Sequence, residues 1–159
     1  MNKLVYTILF LTIGQTIALG CTCGMTTLKE LRRSEFKNSK LIFIADVPQN
    51  TGKGLTYQVK VIESLKGEVA DSVLTGKIMT SCSDFPTEGR WIMYARELKD
   101  GTIEIQQCGL SRPFSHPDSG PFIKRYMASN RTKCLKRAQK DLKDEIELLR
   151  RRKMSRHTA

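Results

Sequence analysis

The chain is poor in the residues that most hydrolytic enzymes depend on. Of 159 residues only two are histidine, His116 and His157. Neither belongs to a His-Glu-x-x-His pair, and no Gly-x-Ser-x-Gly is present. Zinc proteolysis of that type and elbow-type serine hydrolysis therefore lack their machinery. A Cys134–His116 nucleophile pair is a further candidate, but a spare thiol plus a loop histidine is the simpler account of the same two residues. Acids are also scarce, 16 against 27 Lys and Arg, which leaves a formal charge of +11. A charge of that size bears on partners and solubility, not on fold. No internal repeat or low-complexity tract occurs. After the first twenty residues, no apolar run approaches the ~20 residues that a membrane helix requires. The expectation is a protein that is not an enzyme and carries no cofactor of its own.

Those first twenty residues have the makings of a leader. Lys3 supplies a positive start, Leu4 to Leu11 an apolar centre, and Ala18-Leu19-Gly20 small residues at −3 and −1 before Cys21. This is the pattern of a cleaved secretory signal over 1–20. A second reading is a lipoprotein leader, because a cysteine follows the cleavage point directly. That pattern wants a Leu-like residue at −3 and a small one at −2, and Ala18 and Leu19 stand in the opposite order. The choice decides the chemistry of Cys21, since lipidation acylates its α-amine and plain cleavage leaves it free. The expected location is secreted or extracellular, with a lipid-anchored envelope protein as the alternative.

All five cysteines follow the leader: Cys21, Cys23, Cys82, Cys108 and Cys134. In an exported chain such a set reads as a disulfide framework. Cys21 and Cys23 are too close in sequence to bond each other in relaxed geometry. Each is expected to reach a distant partner among the other three, and one of the five is left over. Loops this long contribute about 4 kcal/mol each in the chain-entropy model. A Cys-x-Cys can also hold a soft metal such as copper(I), but only as thiolates, which export disfavours.

Hydrophobic patterning predicts a mainly β protein with flanking helices. Thr27-Leu28-Lys29-Glu30 is a capping box, opening a helix over 27–37 with Leu28, Leu31 and Phe36 on one face. The apolar run 41–47 reads as a buried strand. A second strand is expected over 55–65, with Leu55, Tyr57, Val59 and Val61 facing inward, ended by Lys66-Gly67. Further strands are expected over 73–79, 90–97 and 102–108, the last two joined by a Lys99-Asp100-Gly101 hairpin turn. Trp91, Met93 and Ala95 should share one face of the fourth. Five short strands with tight turns suggest a small closed barrel. Residues 112–120 read as loop. Leu135, Ala138, Leu142, Ile146 and Leu149 then recur at helical spacing, predicting an amphipathic helix over 132–153 whose apolar stripe packs on the barrel or on a partner.

With those elements in place, the chain resembles the N-terminal, netrin-like domain of the tissue inhibitors of metalloproteinases. The resemblance rests on Cys21-Thr22-Cys23 directly after a leader and Phe36-Lys37-Asn38-Ser39 before an apolar strand. Lys66-Gly67, Ser81-Cys82, Asp100-Gly101, Cys108 and Pro113-Phe114 follow in the same order. It spans about residues 21–134 and implies a five-stranded OB-like barrel over 21–120, followed by a basic C-terminal helix and tail over 121–159. It also implies Cys21–Cys82 and Cys23–Cys108 disulfides. The family's third disulfide has no counterpart, because Lys37 stands where its first cysteine would be, and this leaves Cys134 as the odd thiol. The family's cysteine-rich C-terminal domain is missing too.

The resemblance implies an activity as well. The α-amine and carbonyl of Cys21 would chelate the catalytic zinc of a target protease, in trans, and displace its water. Thr22 would enter the protease pocket beside the zinc. Cys23, Thr80, Ser81 and Cys82 would complete the contacting edge. The expected partner is thus a zinc metalloprotease. The alternative is that Cys21 and Cys23 only staple the N-terminal strand to the barrel, giving a binding module without inhibitory activity. Lys136, Arg137, Lys140, Lys143, Arg150, Arg151, Arg152 and Lys153 form a basic patch on the last helix. Acidic polysaccharide or an anionic membrane surface would suit it, as would plain solvation. Nucleic acid is not expected for an exported chain.

Overall fold

A computed structural model describes residues 27–49, 54–69, 73–79, 86–106, 108–119 and 131–157. Helix α1 (Leu28–Asn38) starts at the capping box. The Glu30 amide donates to Thr27 Oγ1 at 3.2 Å, and the Thr27 amide donates to Glu30 Oε2 at 3.0 Å. Strands β1 (Leu41–Val47), β2 (Thr56–Lys66), β3 (Val73–Lys77), β4 (Gly89–Glu97), β5 (Ile103–Ile105) and β6 (Arg112–Pro113) come next. Helix α2 (Arg131–His157) closes the described chain.

The first five strands form a closed, mixed barrel in the order β1-β2-β3-β5-β4, sealed by β4 against β1. All pairings are antiparallel except β3 with β5. The sixth strand lies outside the ring, on β4. The architecture is therefore an OB-like barrel with flanking helices; the strand pattern implied the small closed barrel, and the resemblance its OB-like form.

Two cores divide the apolar residues. Leu41, Phe43, Ala45, Val47, Tyr57, Val59, Met93, Ala95 and Ile103 fill the barrel. Ile42, Ile44, Leu65, Ile92, Tyr94 and Leu110 line its outer wall, where Leu28 of α1 and Cys134, Ala138, Leu142, Ile146 and Leu149 of α2 cover them. β1 and β4 are thus buried on both faces, which is why their sequences read as runs and not as alternations. Trp91 packs against the barrel core with Met93 and Ala95, only partly buried.

Several expectations need correction. Leu55 does not face inward but is 64% exposed. It sits in the turn ahead of β2, after Gly54 at φ 64°, and its carbonyl accepts from the Ile78 amide at 2.8 Å. β2 carries two irregularities against β1, which leave Ile62 and Leu65 without a cross-strand partner. A bulge reverses the facing of the residues beyond it. Leu65 thereby turns to the helix side while Ile62 is exposed. β3 stops at Lys77 and not at 79. β5 covers only Ile103–Ile105, because the Gly109 amide turns back onto the Gln106 carbonyl at 3.0 Å. Residues 112–113, read as loop, are a short strand held by Trp91 and Ile92. On α2, Cys134 takes the buried position expected of Leu135, which is half-buried. That helix also runs past 153.

Two glycines are required by their surroundings. A Cβ on Gly76 would lie 2.0 Å from the Tyr57 ring, its cross-strand neighbour. Gly67 ends β2 at φ 77°, with the Lys40 carbonyl 2.7 Å from where a Cβ would be.

Candidate functional site

Strand pairing fixes where the described segments next to the candidate residues leave the barrel. Val47 at the end of β1 pairs with Gly89 at the start of β4, and Thr56 at the start of β2 pairs with Lys77 at the end of β3. β5 runs parallel to β3 and ends at Ile105, opposite Ala95; the Gly109 amide then turns back onto the Gln106 carbonyl beside Glu35 of α1, and Cys108 lies in that turn. Thr80-Ser81-Cys82 come within five residues of the end of β3 in sequence. Thr80, Ser81, Cys82, Cys21, Thr22 and Cys23 themselves lie outside the described residues. Two large apolar side chains are exposed where β2 begins and β3 ends, Leu55 at 64% and Met79 at 55%. Asp46 and Arg90 pair across the rim, with Arg90 Nε donating to Asp46 Oδ1 at 2.9 Å. That contact holds the Asp46 carboxyl below its ordinary value.

Cys108 is disulfide-bonded, and its partner is outside the described residues. Cys134 is buried as a thiol against the outer wall of the barrel. It belongs to the same buried cluster as Leu28, Ala138 and Leu142, a setting that suits a small apolar side chain. Among the described residues, no group of three His, Cys, Asp or Glu is placed to hold a metal ion. Nor is any described helix long and apolar enough to cross a membrane.

The structure also holds buried charged residues that sequence patterning does not reveal. Glu145 of α2 is 2% exposed and stands inside the apolar stripe. Arg112 of β6, 3% exposed, donates from Nη1 to Glu145 Oε1 at 3.2 Å and from Nη2 to Oε2 at 3.1 Å. Arg32 Nε donates to the same Oε2 at 2.6 Å, and Tyr94 Oη donates to Oε1 at 2.9 Å. Arg112 also donates to the Leu110 carbonyl at 2.8 Å. One carboxylate thus ties α1, β4, β6 and α2 together, and burial beside it pushes the Tyr94 hydroxyl far above its usual range. The available signal was the spacing: 138, 142, 145 and 149 are one helical row, and a charge in such a row needs a buried partner.

Glu35 is the second such residue. It is 3% exposed, lies 2.7 Å from where a Gly109 Cβ would be, and is next to Gln106. Burial raises its carboxyl above the ordinary value, against smaller opposing effects of the Leu110 amide and Arg96.

The basic patch divides in two. In the second half of α2 the cations are engaged by the fold. Arg150 makes a two-pronged contact with Glu63 at 2.9 and 2.6 Å, which lowers the Glu63 carboxyl. Lys153 donates to the Ser64 carbonyl at 2.6 Å, and Arg152 lies 4.6 Å from the centre of the Phe36 ring. Lys66 covers the same ring at 4.8 Å and donates to the Phe36 and Ser39 carbonyls, both at 2.5 Å, at the end of α1. Arg151 pairs loosely with Glu147 at 3.9 Å. In the first half, Lys136, Arg137, Lys140 and Lys143 are all exposed, and none has an ion-pair partner among the described residues.

No protein-family model matches the chain. No curated protein matches it significantly. The functional reading therefore rests on the residues and the fold.

Proposed function

We propose that the chain is a secreted inhibitor of zinc metalloendopeptidases, a single-domain protein resembling the tissue inhibitors of metalloproteinases. The observation that carries the reading is the closed barrel itself. Cys108 is disulfide-bonded beside that barrel, and Thr80, Ser81 and Cys82 follow β3 within five residues in sequence. Cys21–Cys82 and Cys23–Cys108 bridges would tether Cys21-Thr22-Cys23 to the barrel. A strand so tethered loses little freedom on binding, which favours affinity.

The chemistry starts from the first residue. An α-amine ordinarily titrates at about 7.7–8.0, so a useful fraction is neutral near physiological pH and can donate its lone pair. Amine and carbonyl of Cys21 make a two-atom grip on the protease zinc. Thr22 fills the adjoining pocket, and the exposed Leu55 and Met79 offer apolar contact beside it. The protein supplies no catalysis and no metal of its own.

The test is titration of the processed protein, starting at Cys21, against a panel of purified zinc endopeptidases. Stoichiometric inhibition of at least one is expected. No inhibition across the panel, with the N-terminus shown by mass to be unmodified, overturns the proposal. A second reading is a binding module without inhibitory activity, anchored by lipid at Cys21 or released. The exposed cations of α2 favour it, and an acylated Cys21 on the exported protein would select its anchored form.

A further inference from the structure

We propose that the solvent face of the first half of α2, with the adjoining row of α1, is a binding surface for a linear sulfated polysaccharide. Protease inhibition is not required for it. Lys136, Lys140 and Lys143 fall within one outward sector of the helix and extend over about 10 Å of its length. Arg137 lies one turn before Asp141, whose carbonyl accepts from Arg32 Nη2 at 2.5 Å. It therefore occupies the flank of α2 that faces α1. On α1, Lys29, Arg33 and Lys37 repeat every four residues and are all exposed. Their row is the next one around from Arg32 and Phe36, two residues through which α1 touches α2. Lys37 follows Phe36, whose ring meets Arg152 in the second half of α2, so the surface is made by Lys136, Arg137, Lys140 and Lys143 with Lys29 and Arg33 beside them.

The contrast within α2 identifies the ligand that suits this surface. The same helix commits Arg150, Arg152 and Lys153 to the fold and leaves Lys136, Arg137, Lys140 and Lys143 to solvent. Asp144, the exposed acid among them, makes no ion pair with any of the four within the described residues. A helix that lies in a membrane needs an apolar face to insert. Here that face is spent on the barrel, and no exposed large apolar residue lies in the first half of the helix. Single-stranded nucleic acid needs stacking aromatics, and none is exposed on this surface. There remains a row of fixed cations without apolar or aromatic company, which matches a polyanion with charges strung along a flexible sugar chain.

The experiment is binding of the full secreted protein to heparin, with N- and O-desulfated heparin, anionic phospholipid vesicles and duplex DNA as comparisons. The variant Lys136→Gln/Arg137→Gln/Lys140→Gln/Lys143→Gln should fold normally, since all four side chains are exposed. It should bind heparin at least about tenfold more weakly, and the slope of log K against log salt should fall by about one for each cation removed. Lys140→Glu should weaken binding clearly, whereas Lys99→Glu, also exposed but on the β4–β5 turn away from the two helices, should change it by less than about twofold. Equal effects of these two reversals would mean that net charge alone binds heparin, and would overturn the proposal. So would undiminished binding by the fourfold variant. Affinity for desulfated heparin, vesicles or DNA equal to that for heparin would overturn it as well.

Discussion

Glu145 shows how much one residue carries in this fold. Its carboxylate receives Arg112, Arg32 and Tyr94, and Arg112 is as inaccessible as Glu145 itself. Breaking a buried pair by removing one partner strands the other charge, at a cost of about 3–5 kcal/mol. Glu145→Gln should therefore lower stability by about 3 kcal/mol or more, read as a shift in the urea midpoint. Glu35 should behave in the opposite sense. Its carboxyl is raised by burial above 4.5, so the folded state prefers it protonated. Its contribution is full below the unfolded value and declines as pH rises through the folded one. Glu35→Gln should consequently stabilise the protein at neutral pH and lose that advantage below pH 4.5. Equal stability differences at both pH values would contradict this. Neither glutamate is legible as a site in the sequence. Periodicity identifies which positions are buried, but not that a buried position is charged because two arginines, 33 and 113 residues away, converge on it.

At the scale of elements, more is readable. The capping box, the 41–47 run and the Asp100-Gly101 hairpin are local signals, and each is where the spacing puts it. The turn is reinforced by Asp100, whose Oδ1 accepts from the Thr102 amide at 3.1 Å and whose Oδ2 accepts from Lys77 Nζ at 2.7 Å. The departures from expectation fall where pairing across the sheet decides. Leu55 alternates correctly with Tyr57 and Val59, yet the ladder begins only at Thr56. β6 exists because β4 offers it an edge, which nothing in Arg112-Pro113 announces. Gly76→Ala tests that ladder: its Cβ would lie within the Tyr57 ring contact, so a loss of about 1–3 kcal/mol is expected from overpacking. The Arg150–Glu63 pair, by contrast, is half exposed. A double-mutant cycle on it should return no more than about 1 kcal/mol.

For the whole molecule, the apolar stripe of the last helix points to packing on the barrel or on a partner, and the structure puts it on the barrel wall as a second core. Ile42, Ile44, Leu65, Ile92 and Tyr94 are covered only because α1 and α2 lie over them. A chain ended at residue 130 should expose that wall and aggregate on expression; a soluble, cooperatively melting truncation would contradict the two-core account. The same packing gives α2 a double role. Its inner face and second half complete the fold, while the outer face of its first half carries four exposed cations with no ion-pair partner among the described residues.

The central claim concerns the zinc-chelating role proposed for Cys21. The processed protein, starting at Cys21, should be compared with a variant carrying one extra alanine before Cys21, against the same zinc endopeptidase. The added peptide bond consumes the α-amine and leaves the barrel, the disulfides and Thr22 in place. The account predicts that inhibition by the extended form falls by several orders of magnitude, with thermal stability unchanged. Equal inhibition by the two forms would show that Cys21 does not bind the zinc, and would remove the chelating mechanism.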